Sequence, residues 1–211
     1  MTLFSESQEN HFSLPKITVM EKNRLEAFSD GVLAIIITIM VLEFKVPHST
    51  EWAELLKLWP VFFSYLLSFI YIAIYWGNHH HLLHTIRQVN SGIIWTNMAL
   101  LFCLSLVPFA SAWMGENHFE TNTIVVYAFV LELCGLTFFA LQQCIMRSQK
   151  HNEKLKAAME KVRIKGIASQ VAYLLAIPIA FWQPGISFFL FFAVAVAWIV
   201  PDRGIELALK E

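Results

Sequence analysis

Charge is scarce in this chain. Lys, Arg, Asp and Glu make up 15% of its 211 residues, against about a quarter in soluble domains. With 57% hydrophobic residues and a mean hydropathy of +0.56, so little charge excludes an ordinary soluble domain. Cysteine is scarce too. Cys103, Cys134 and Cys144 all sit in apolar runs, which excludes a disulfide framework and reads as small buried residues. An early apolar run is missing: residues 1–23 are polar, so no signal peptide is expected and the first spanning segment acts as its own insertion signal. The formal net charge of −1 carries no partner information, and no nucleic-acid partner is expected.

What is present is a series of long apolar stretches separated by short polar ones, the pattern of a polytopic all-α membrane protein. Six transmembrane helices are predicted, over residues 24–46, 55–78, 92–114, 121–146, 164–182 and 186–200. The last two are separated only by Gln183-Pro184-Gly185 and form a hairpin. Residues 1–211 read as one six-span domain with short loops. Residues 147–165 read as a helical extension, because Glu, Lys, Ala and Met there favour helix. Its charges are a solvated, topology-setting run, with lipid-headgroup binding as the alternative.

Six spans put both termini on one side of the bilayer. Lys16, Lys22, Arg24, Arg87, Arg203, Lys210 and the seven basic residues of 147–165 lie on that side, and only Lys45 and Lys57 on the other. Both termini and the 79–91 and 147–165 loops are therefore expected in the cytoplasm. Trp52, Trp59, Trp113 and Trp182 fall near the opposite ends of spans, as an aromatic belt requires.

Ionisable and polar residues within spans are the natural candidates for function. Ser29 and Asp30 lie just inside the first span, in Arg24-Leu-Glu-Ala-Phe28-Ser29-Asp30-Gly31. The second span ends at the same depth in Trp76-Gly-Asn78-His79-His80-His81. Aspartate and hydroxyl on one helix, met by indole and imidazole on another, predict a buried polar clasp, with Asn97 of the third span a further member. Structural glue outweighs catalysis here. His80 and His84 stand four residues apart, on one helix face, as zinc ligands can. No acidic residue lies between them and no third ligand is evident, so no metal site is assigned and the histidines read as interfacial residues favoured by a helix C-terminus. Glu132, in the first half of span 4, is a lone carboxylate without a visible relay.

At about 100° per residue, Gly31, Ile35, Thr38 and Leu42 of the first span fall on one narrow stripe. Plain helix packing, with Gly31 and Thr38 as small contact residues, accounts for such a stripe better than a pore does, because the span is apolar on every face and shows no wet side.

The run Arg24-x-x-x-Phe28-Ser29-Asp30-Gly31-Val32-x-Ala34-Ile35-x-x-Thr38, followed by Leu42, resembles the signature of the transmembrane protein 175 family of endosomal and lysosomal potassium channels and their prokaryotic homologues. Trp76-x-x-His79-His80 looks like the family's second motif, and Asn97 and Pro108-Phe109 match its third region. Spans 4–6 agree in number and placement. The resemblance implies a homotetramer of six-span subunits in a prokaryotic plasma membrane, whereas the animal proteins fuse two repeats and dimerise. It implies a pore lined by the first helix, without a pore loop, in keeping with the absence of a Thr-Val-Gly-Tyr-Gly-like run. It makes Ile35 and Leu42 hydrophobic rings, with Thr38 a hydroxyl layer between them and Gly31 on the same line. Ile35 stands where a leucine is common. Arg24, Phe28, Ser29, Asp30, Trp76, His79 and Asn97 become the structural motif that ties the first helix to the second and third.

The expected function is then a potassium-permeable, modestly selective cation channel with a hydrophobic constriction, embedded in lipid, needing no cofactor beyond the permeant ion, and not an enzyme. Hydrophobic constrictions gate by dewetting, and Thr38 is the only side-chain oxygen on the stripe. The alternative is a secondary or proton-coupled transporter using Asp30, Glu132 and the histidines. Broken helices with midspan Gly or Pro mark transporters; Pro108 and Pro178 sit within spans 3 and 5 but lie near no acidic residue in sequence.

Overall fold

The computed structural model describes residues 21–148 and 153–199, the side chains of 153–159 excepted. Among these residues every regular element is helical: α1 Lys22–Ile39, α2 Trp52–Leu56, α3 Trp59–His84, α4 Ser91–Ser105, α5 Val107–Glu116, α6 Thr121–Ser148, α7 Glu153–Trp182 and α8 Pro184–Ile199. A 3₁₀ turn, Met40–Glu43, prolongs α1.

Five segments are long and apolar enough to cross a bilayer: Lys22–Glu43, Trp59–His84, Ser91–Glu116, Thr121–Ser148 and Glu160–Trp182. The chain is a multi-pass membrane protein. The sixth expected span appears as α8, an apolar helix of 16 residues. That is about 24 Å at 1.5 Å per residue, short of the roughly 30 Å hydrocarbon core, and residue 200, its expected end, lies outside the described residues. So do 149–152 of the expected 147–165 extension; Arg147 and Ser148 end α6, and 153–165 are continuous with α7.

Proline sets the helix boundaries that hydropathy leaves blurred. Pro60, Pro108 and Pro184 each stand in the first two positions of a helix, where the missing N–H costs nothing. The second span therefore begins at Trp59, with residues 52–56 a separate short helix, and it runs on to His84, so all of its histidines are helical. Pro108 divides the third span into α4 and α5, while Pro178 is accommodated inside α7. The Asn90 side chain starts α4 by accepting the Ile93 N–H at 3.0 Å. The first span leaves helical geometry at Glu43, three residues before its expected end, as Glu43, Lys45 and then Pro47 intervene.

α6 is the hub, packed against α4, α5 and α7, with Ile124, Tyr127, Leu131, Cys134, Leu141 and Ile145 buried. Buried hydroxyls join the spans, as lipid requires. Ser68 Oγ donates to Ser111 Oγ at 2.9 Å and Ser111 Oγ to the Ser64 carbonyl at 3.0 Å. Because the Ser68 proton is thus committed, the Tyr127 hydroxyl 2.9 Å away is the donor to it. Gly115 lets α5 press onto α3: a Cβ there would stand 2.8 Å from Val61 Cα. α1 lies at the edge, against α3 and α4. It buries Leu25, Ser29, Leu33 and Ile36, a strip at helical spacing.

Candidate functional site

The clasp forms, in two separate branches. In the first, Asp30 Oδ1 accepts the Trp76 indole N–H at 2.9 Å. In the second, Asn97 Nδ2 donates to Ser29 Oγ at 2.9 Å, and Asn97 Oδ1 lies 2.7 Å from His79 Nε2. Ser29 passes its own proton to the Leu25 carbonyl at 2.8 Å. Ser29, His79 and Asn97 are all buried. The expected single clasp, in which Ser29 and Asp30 together meet Trp76 and His79, is corrected: Asn97 is the shared partner of Ser29 and His79, and Asp30 serves Trp76. Ser29 and Asp30 are sequence neighbours about 100° apart around the helix, so they face different helices. Arg24 and Phe28 lie exposed on α1.

Glu26 extends the first branch. Its Oε1 lies 3.1 Å from His80 Nδ1 and 3.3 Å from His84 Nε2. One turn earlier, Lys22 Nζ donates to the His84 carbonyl at 2.9 Å. Residues 22, 26 and 30 of α1 thus meet residues 84, 80 and 76 of α3, an antiparallel ladder with a rung at every fourth residue. Sequence spacing along α3 could not reveal Glu26 as a partner of the histidines. Its place four residues before Asp30, on the same helix face, was the available signal.

At its other end the α1 segment is held by the Lys45–Glu116 ion pair and by the Phe44 ring, 5.2 Å from that of Tyr65. The Glu116 carboxylate, hydrogen-bonded to it, holds the Lys45 ammonium above its ordinary pKa.

The stripe faces away from the chain's own core. Ile35 is 61% and Leu42 77% exposed, and Gly31 and Thr38 are exposed as well, whereas Ile36 and Met40 are buried. Leu42 sits in the 3₁₀ turn, which winds about 20° further per residue than an α-helix, so it is rotated off the straight line through Gly31, Ile35 and Thr38. Thr38 Oγ1 donates to the Ile35 carbonyl at 2.9 Å. Its proton is turned to the backbone, which leaves the lone pairs outward.

Glu132 has a partner after all. It is 7% exposed, and the Gln170 amide lies against it. With the amide NH₂ turned to the carboxylate, it donates to both carboxylate oxygens at 2.8 Å. Gly135 makes the room, because a Cβ there would overlap the Gln170 amide. Gln170 also borders a cavity of about 290 Å³ between α3, α6, α7 and α8, which Glu132 does not line.

Residues 24–108, which contain the stripe and the clasp, match the family model described as endosomal/lysosomal potassium channel TMEM175. A potassium channel of Chryseobacterium sp. (strain P1-3) is 47% identical over 192 residues, covering 91% of this chain and 100% of that one. The chain belongs to the transmembrane protein 175 family. The fold agrees: a crystal structure of a lysosomal potassium-selective channel TMEM175 homologue from Chamaesiphon minutus matches with a TM-score of 0.75 and 28% identity, over 86% of this chain and 97% of that chain. A mouse member, named an endosomal/lysosomal proton channel, is 29% identical over 61% of this chain and 28% of its own length. Members of the transmembrane protein 175 family are ion channels, and the chain is not an enzyme.

Proposed function

We propose that the chain is a potassium-permeable, modestly selective cation channel, a homotetramer of six-span subunits in a prokaryotic plasma membrane with both termini cytoplasmic. Its pore is lined by α1, with Ile35 and Leu42 as hydrophobic rings, Thr38 between them and Gly31 toward the cytoplasmic end. The exposed stripe of α1 carries this reading: the chain buries one face of the helix and leaves Gly31, Ile35, Thr38 and Leu42 bare. Among the described residues, nothing beyond its own helix lies within 4 Å of a Cβ built at Gly31, which suits close approach of another copy. Outward-facing Thr38 oxygens, repeated around an axis, would offer a cation its only side-chain ligands on the stripe. The names of the bacterial relatives point the same way.

The runner-up is a proton pathway or proton-coupled carrier, prompted by the name of the mouse member. It is the weaker reading because Asp30 is held by Trp76 and Glu132 by Gln170, which leaves neither carboxylate at the head of a chain of proton acceptors.

Purified protein in liposomes decides between them. With a potassium gradient, no proton gradient and no protonophore, a channel carries current that reverses near the potassium equilibrium potential. Flux that appears only with a proton gradient, or a reversal potential that follows pH, would replace the potassium channel by the proton reading.

A further inference from the structure

We propose that Glu26, His80 and His84 form a binding site for one zinc-like divalent transition-metal ion, tying the first turns of α1 to the end of α3. One oxygen and two imidazole nitrogens of these residues lie within 4.8 Å of one another. Two imidazoles and one carboxylate are a donor set for zinc and its neighbours, with a fourth position left to water.

The distances fit. Ligand atoms about 2.0–2.1 Å from a tetrahedral metal stand about 3.3 Å apart. The Glu26 oxygen lies 3.1 Å from the His80 nitrogen and 3.3 Å from the His84 nitrogen, the spacing of tetrahedral edges. The two rings approach to 4.4 Å between centroids, which brings both nitrogens to one carboxylate oxygen. A plain ion pair explains the arrangement less well. His80 Nδ1 is buried and, although 3.1 Å from that oxygen, makes no hydrogen bond. A cation among the three atoms would take its lone pair.

The surroundings hold the ligands and admit the ion. The His80 ring stacks on Trp76, and Lys22 grips the His84 carbonyl; both constrain the α3 side of the site as supporting contacts do in metal centres. The His80 and His84 side chains are 39% and 47% exposed, that of Glu26 15%. The ion therefore enters from solvent at the helix ends, while the carboxylate that lowers its charge is sheltered.

The test is zinc binding by tag-free protein in detergent, stripped with chelator and dialysed against zinc, with metal per chain and melting temperature as readouts. The wild type is expected to hold one zinc per chain that Glu26→Gln and His84→Ala do not, with affinity falling more than the roughly 10–100-fold that loss of a supporting contact costs. Zinc is expected to raise the melting temperature of the wild type but not of Glu26→Gln. His48→Ala, altering an exposed histidine elsewhere, is expected to bind as the wild type does. If His84→Ala does not yield folded protein, the near-isosteric Glu26→Gln carries the test alone. Equal zinc affinity in wild type and Glu26→Gln, or loss of the zinc in His48→Ala, overturns the assignment.

Discussion

His79 Nε2 and Asn97 Oδ1 stand 2.7 Å apart, on α3 and α4, where neither side chain reaches solvent. The Asn97 amide already gives a proton to Ser29, so its oxygen can only accept and His79 must carry its proton on Nε2. The bonds then run in one direction, from His79 through Asn97 and Ser29 to the Leu25 carbonyl. Three helices are fixed by one amide.

Asn97 is therefore the most costly member of the clasp to remove. Asn97→Ala leaves the Ser29 oxygen without its donor and His79 Nε2 without its acceptor, each orphan costing about 1–3 kcal/mol. Asp30→Ala loses one bond to Trp76, which is 47% exposed, and should cost clearly less. Thermal unfolding followed by fluorescence-detected size exclusion ranks the two. An Asp30→Ala protein less stable than Asn97→Ala would show that the branches are not separate.

Gly135→Ala should destabilise through Gln170 rather than through α6. The added methyl meets the Gln170 amide and drives it off the buried Glu132 carboxylate, at about 1–3 kcal/mol. In combination with Gln170→Ala the methyl has room, so the double variant should lose less than the two single losses added together. Strict additivity in melting experiments would remove Gln170 as the obstacle.

Substitutions on the stripe should change conduction and leave folding alone. Ile35→Asn is expected to raise single-channel conductance, and Thr38→Ala to abolish the preference for potassium over sodium. Both positions are exposed in the subunit. Ile36→Val is the matched control: the residue is buried, so it should cost about 0.5–1.5 kcal/mol of stability with conductance unchanged. Bilayer recordings with wild-type values for both stripe variants, in properly assembled protein, would move the permeation path off α1.

Orientation can be read by impermeant thiol labelling of whole cells. Asn117, exposed beyond α5, and Arg87, exposed beyond α3, are suitable sites for cysteine. Gly115 is not, because it is packed on Val61. In a Cys144→Ser background, Asn117→Cys should label from outside and Arg87→Cys only after permeabilisation. The reverse result would invert the topology.

The helical membrane architecture was legible because each long apolar run announces itself regardless of what it packs against. Helix ends were less legible. Pro60 and Pro108 could be read as starts only once their helices were seen to begin there, and the 3₁₀ turn at Met40–Glu43 has no signature that hydropathy can detect. The members of the clasp could be named from one sequence, but not their pairing, which depends on the rotation of α1. Ser29 and Asp30 could each have faced either neighbour. Gln170, the partner of Glu132, lies 38 residues away on another helix, a separation that no helical spacing reports. The partners of Glu26 lie on another helix, at no spacing that the sequence displays.

The attachment of α1 has a mechanical meaning. It is a beam pinned at both ends, by the ladder from Lys22 to Asp30 at one and by Lys45–Glu116 at the other. Between the pins, among the described residues, it meets its neighbours only through apolar contacts such as those of Leu33, Ile36 and Met40, and the one hydroxyl there, Thr38, is bonded to its own helix. A beam held in this way bows most at its middle, and bowing breaks no bond to another helix. Ile35 and Thr38 stand at that middle, so the largest displacement the fold allows at low cost falls on the residues that would set the width of the passage.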